Sequence, residues 1–239
     1  MSSINSTNDN KYTYKIVFDQ DKDAWNWLDA INWIEHGVNW SKDIPKDLLI
    51  KVKGKSETQT FAIIKSFLKQ KYIDDKDKID SFIKFVNDRY DQDFQNACEK
   101  IEEATGKPLY RNDFTDYITT YPMGPYNYEQ GYTLDYIGWT NPIMGFMHEL
   151  LHLQLTHYWR LNSESNVSKL PENQFEWLKE SLTVIIDEDF LPIAECVDKG
   201  YKIHKAYRDE LHKFWLVDHD FNQLINYAIE LLPDYFKKI

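Results

Sequence analysis

Two cysteines, Cys98 and Cys196, are all that the 239 residues hold. That excludes a disulfide framework and a cysteine-built zinc site, and the expected setting is the reducing cytoplasm. Glycine and proline number only eight each, which argues against a loop-rich or all-β chain. Positive charge is short as well: 28 Lys and Arg stand against 39 Asp and Glu, for a net charge of −11. A surface of that sign repels phosphate backbones and anionic lipid, so neither nucleic acid nor membrane is an expected partner. No apolar run reaches the length needed to cross a bilayer. The first residues are polar and lack the basic-then-apolar shape of an export signal.

Aromatic residues are plentiful, with 8 Trp, 16 Tyr and 13 Phe, so a sizeable core is available. The length allows one large domain or two lobes sharing a cleft. Residues 1–10 read as disordered. Alternation predicts strands over residues 12–18 and 131–137, with a Thr-, Tyr- and Ile-rich strand over 113–121 and a further strand candidate at 47–52. Helical spacing predicts helices over 23–35, 57–72 and 77–105, the last ended by Gly106 and Pro108. A helix opened by Pro171 is expected to run to about residue 188. The stretch 193–236 reads as helical with breaks near Gly200 and Asp218. The resulting class is α+β: an α/β lobe over 11–160 with a small mixed sheet, and a helical lobe over 161–239.

At the junction stands Met147-His148-Glu149-Leu150-Leu151-His152, inside an apolar stretch that begins after Asn141 and Pro142, a plausible N-cap and first helical residue. On a helix, His148 and His152 lie one turn apart on one face and can close on one metal ion. Glu149 is rotated about 100° from His148, so it suits a proton acceptor for a water on that metal better than a third ligand. Chance alone yields this pattern in about one chain of this length in a hundred, so the surroundings must decide. Met144, Phe146, Met147, Leu150, Leu151, Leu153, Leu155 and Trp159 make the helix a buried one. Two histidines and a glutamate at such depth need partners. Hydrogen bonding of the two histidines to backbone or carboxylates is the plainer alternative to a metal.

A catalytic zinc site takes three protein ligands and keeps one position open. The position six residues after His152 is Tyr158, and His157 lies about 180° around the helix from His148, so neither serves. A glutamate on the next helix can. Glu176 and Glu180 share an arc with Thr183 and Asp187, opposite Phe175, Leu178, Leu182, Ile185 and Ile186. No Lys or Arg is expected on that arc. Geometry alone does not choose between the two glutamates; the Lys-Glu-Ser-Leu-Thr setting favours Glu180, with Thr183 and Asp187 as partners that orient the ligands.

With these residues the chain resembles the Glu-zincin, thermolysin-like metallopeptidases over roughly residues 113–190. The resemblance implies one Zn2+ held by His148, His152 and Glu180, with Glu149 as general base. It implies an α+β upper lobe, a helical lower lobe and a cleft between them for a peptide or protein substrate. An edge strand, 113–121 or 131–137, would pair with an extended peptide. The spacing from His152 to Glu180 exceeds that of the best-known members. Tyr201, His204, Arg208 and His212 fall within about 80° on one helical face, so Tyr201 and His204 are candidate donors to a developing oxyanion. Two other readings stand beside the peptidase: a binding module that keeps a zincin fold around a structural or vestigial zinc, and a ferritin-like di-metal oxidase. The oxidase needs a second Glu-x-x-His, and Glu149–His152 is the only one in the sequence.

Overall fold

The computed structural model describes residues 11–236. The segment 1–10, read above as disordered, lies outside the described residues. Strand β1 (Thr13–Phe18) leads into helix α1 (Gln20–Asn32), started by the Asp19 carboxylate, which accepts from the amides of Asp21 and Lys22. The helix expected over 23–35 stops at Asn32. Beyond it β2 (Ile34–Glu35) and β3 (Val38–Asn39) form a hairpin turned by His36 and Gly37, both at positive φ, 51° and 75°. A two-residue turn with both central φ values positive is the connection that matches strand twist.

Residues 47–52, a strand candidate, are instead helix α2 (Lys46–Val52). Pro45 stands immediately before it. Leu48 and Val52, four apart, are both buried while Ile50 is exposed, a helical and not a strand period. Helix α3 (Glu57–Asp74) opens with a reciprocal cap between Ser56 and Gln59. Helix α4 (Lys76–Thr105) buries Ile79, Phe82, Val86, Tyr90, Phe94, Ala97 and Ile101 as its spacing requires, and ends at Gly106 in the left-handed region.

Strands β4 (Asp113–Thr119) and β5 (Tyr132–Tyr136) complete a three-stranded sheet in the order β1-β4-β5. All its pairings are parallel, so this sheet is not mixed; the antiparallel pair is the separate hairpin. Helices α1 to α4 supply the long crossover that a parallel pair demands. The central position of β4 removes 113–121 as a free edge for a peptide. β5 is an edge strand, but Gly124 sits against it: a Cβ there would lie 2.7 Å from the Leu134 carbonyl oxygen.

Helix α5 (Pro142–Leu155) packs on α4, β5 and the following helix α6 (Glu172–Leu182). The expected helix to residue 188 ends at Leu182 and tightens into a 3-10 turn over Thr183–Ile185. The Glu180 carbonyl accepts from the Thr183 hydroxyl at 3.0 Å and from Arg208 at 2.9 Å, which draws it out of the helical ladder. Short α7 (Leu191–Ala194) precedes an irregular stretch and a 3-10 turn over Lys202–His204. Helices α8 (Lys205–Asp218) and α9 (Phe221–Tyr235) close the chain. One large core joins α4, α5, α6, α8 and α9, and a smaller one lies among α1, α2 and α3. The fold is thus mixed and mostly helical, with a small sheet. No helix among the described residues is long and apolar enough to cross a membrane.

Candidate metal centre

Helix α5 begins where the sequence places it. The Asn141 side chain accepts from the Met144 amide at 3.1 Å, and Pro142 occupies the first turn. Ile143, Met147, Leu150 and Leu151 fix the helix in the core and leave one face toward a cleft of about 1030 Å³. His148 and Glu149 line that cleft with His152. The two imidazole rings lie 4.4 Å apart, centroid to centroid.

Glu180 comes to them from α6. Its Oε2 is 3.4 Å from His148 Nε2 and its Oε1 is 3.2 Å from His152 Nε2. One ligand atom from each of the three residues lies within 4.8 Å of the others. His152 is buried, yet neither ring nitrogen makes a hydrogen bond among the described residues; the approach to Glu180 is close but not aligned for one. An orphaned imidazole in a core costs free energy. A cation between the two Nε2 atoms and the carboxylate would engage it. Two imidazoles and a carboxylate are a zinc donor set, so these residues fit the ion.

The surroundings set the charge states. Burial pulls His152 down to about 3, reinforced by His148 and opposed by Glu180; neutral imidazole is the form that binds metal. Burial also disfavours charge on His148, but Asp198 and Glu180 outweigh it and hold its pKa well above the usual value. Burial would raise Glu180, yet the two histidines keep its carboxyl well below the ordinary range. Glu149 differs: burial pushes it up to about 8, with His148 opposing and Glu180 adding to the rise. A cation bound beside it would favour its ionised form.

Glu176 does not join the histidines. Its Oε2 is 2.6 Å from Lys179 Nζ, and it groups with Glu35 and His36 on the cleft wall. Lys179 corrects the expectation that no cation enters this arc. It is buried, donates to the Tyr126 hydroxyl at 3.3 Å and lies 3.7 Å from Glu180 Oε1. Its long stem lets it curl back one turn along α6 to Glu176. The expectation for Asp187 is corrected too: it faces His212, not His148, His152 or Glu180. Thr183 bonds the Glu180 carbonyl and accepts from Arg208 at 2.6 Å.

Sequence reading missed Asp198. Its Oδ2 is 2.7 Å from His148 Nδ1, so the ring presents Nε2 to Glu180. Burial would raise Asp198, but His148 and Arg208 together draw it below the usual carboxylate range. Arg208 is buried and donates to the carbonyls of Glu180 and Asp198, at 2.9 and 2.6 Å. Gly200, at φ 54°, accommodates that guanidinium: a Cβ there would fall 2.7 Å from it.

The stripe of Tyr201, His204, Arg208 and His212 does not stay on one helical face. The chain is not α-helical until Lys205, so the helical period does not carry across Tyr201 and His204. Tyr201 lines the cleft and stacks on His36, with ring centroids 4.8 Å apart. His204 is fully buried behind them, 4.3 Å from Trp177 and 5.0 Å from His36 by ring centroid, and is not among the cleft-lining residues. His157 stands in a π-helical turn, Thr156–Arg160, that follows α5, so the α-helical phase does not carry to it; its Nδ1 meets the Tyr128 hydroxyl at 2.6 Å.

No family model, curated protein or solved structure matches this chain.

Proposed function

We propose that the chain is a zinc-dependent hydrolase of peptide amide bonds, of the Glu-zincin kind, with a peptide or protein substrate. One observation carries the reading: His148, His152 and Glu180 converge on the wall of a cleft with Glu149 beside them. Under it, the sheet, α5 and α6 form a zincin-like frame. His148, His152 and Glu180 hold the ion, and Asp198 and Arg208 hold His148 and Glu180. Zinc, when bound, polarises a carbonyl and acidifies water. Glu149 takes the proton of the attacking water and delivers it to the leaving amine. Tyr201, at the cleft, donates to the oxygen on which charge develops. Trp33, Trp40 and Trp139 give the cleft apolar walls, which suit side chains of an extended segment.

A non-catalytic binding module with a structural or vestigial zinc is the second reading. Lys179 favours its vestigial form, since an ammonium 3.7 Å from Glu180 Oε1 competes with a metal for that carboxylate. Turnover on a peptide library, with metal content measured on the same samples, separates the two. Hydrolysis that chelation abolishes and zinc restores supports the first. A zinc-loaded chain inactive on every peptide supports the second.

A further inference from the structure

His212 has no task in hydrolysis. It lies one turn beyond Arg208 on α8 and faces the turn that follows α6. There Asp187 caps a short 3-10 helix, Glu188–Phe190, through Oδ1, which accepts from the Asp189 amide at 3.1 Å. Its other oxygen, Oδ2, is 3.4 Å from His212 Nε2, and Glu188 Oε2 is 3.7 Å from the same nitrogen. One ligand atom from each of the three lies within 4.8 Å of the others.

The Asp187 side chain is only 4% exposed. Neither its Oδ2 nor His212 Nε2 has a hydrogen-bond partner among the described residues. A buried carboxylate oxygen and a buried ring nitrogen that face each other without a hydrogen bond leave two groups unsatisfied. A cation between them satisfies both. An imidazole with two carboxylates suits zinc and its neighbours in the transition series, and three protein ligands leave a position for water.

We propose that Asp187, Glu188 and His212 form a second divalent transition-metal site, outside the cleft. Glu188 is 68% exposed, so the site opens to solvent and binds more weakly than a two-histidine centre. Its ion ties α8 to the chain leaving α6. These are the same two elements that Arg208 joins through the Glu180 carbonyl, so the site is a structural clamp behind the third ligand.

The test is a titration of the full chain with Zn2+ and with Co2+, read by bound-metal stoichiometry, Co2+ absorption and Tm. The unaltered chain should take two ions, one tight and one weaker. His148→Ala/His152→Ala should keep the weaker one and rise in Tm with added zinc. His212→Ala should lose it and keep the tight one. Glu188→Gln alters an exposed side chain and should fold normally, yet weaken the second site by about tenfold or more, at least the loss typical of an outer partner. The site is overturned if the unaltered chain takes no ion beyond the tight one. It is also overturned if neither His212→Ala nor Glu188→Gln changes the weaker ion, which leaves Asp187 and His212 as an ion pair only. Loss of the tight ion alone would count against the cleft centre and not against this one.

Discussion

Asp198 reaches across fifty positions of sequence to place its Oδ2 2.7 Å from His148 Nδ1. That contact fixes which ring nitrogen faces Glu180. Asp198→Ala should therefore weaken zinc binding about 10- to 100-fold, as loss of an orienting carboxylate does elsewhere. Competition with a chelator of known affinity measures it. Unchanged affinity with an intact fold would remove Asp198 from the site.

Glu180 and Glu176 lie one turn apart on α6, but only Glu180 meets the histidines. Glu180→Ala should lose most bound zinc, whereas Glu176→Ala should retain it. Elemental analysis of both variants, purified without added metal, gives the ranking. The reverse ranking would move the third ligand one turn.

Tyr201 lines the cleft and His204 lies behind it. Tyr201→Phe should lower kcat about 10²- to 10³-fold with zinc retained. His204→Phe should change kcat much less. Steady-state kinetics on one cleaved peptide decides between them, and a larger effect at His204 would exchange the roles.

Two buried carboxyls, Asp116 on β4 and Asp135 on β5, influence each other's protonation, and Tyr90 and Thr133 donate to Asp116. Burial raises Asp116 to about 7 and Asp135 well above the usual range. Both folded values exceed the unfolded 3.8, so the folded state holds protons that the unfolded chain has released. The Asp116 contribution is then full below about pH 4 and lost as pH rises through about 7, and Asp135 acts in the same direction, by at most about 1.4 kcal/mol per pH unit for each proton held. Urea unfolding at pH 5 and pH 8 should show the unaltered chain losing more stability than Asp135→Asn. Equal losses would mean that the pair does not share protons in the folded state.

The histidine pair was legible because a helix period and an apolar run determine its face: Asn141 caps α5, and Pro142, His148 and His152 stand on it as read. The long helices α3 and α4 were legible for the same reason. Residues 47–52 were not, because a short apolar segment fits either period until its burial is known. Asp198 was invisible for a different reason: it lies in an irregular stretch, and no periodicity links it to His148. Lys179 was misjudged because spacing places a Cβ, while the ammonium sits at the end of a flexible stem. The stripe from Tyr201 to His212 failed where α8 begins later than the helical reading assumed.

Glu149→Gln tests the catalytic reading most directly, because it keeps the three proposed ligands and the side-chain size and removes only the proposed base. Zinc content and peptide turnover should be measured on one preparation of the parent and of the variant. The expected result is full zinc occupancy in both and turnover lower by about 10²- to 10⁴-fold in the variant. A zinc-loaded variant that hydrolyses peptides as fast as the parent would contradict the role of Glu149 and the hydrolase built on it.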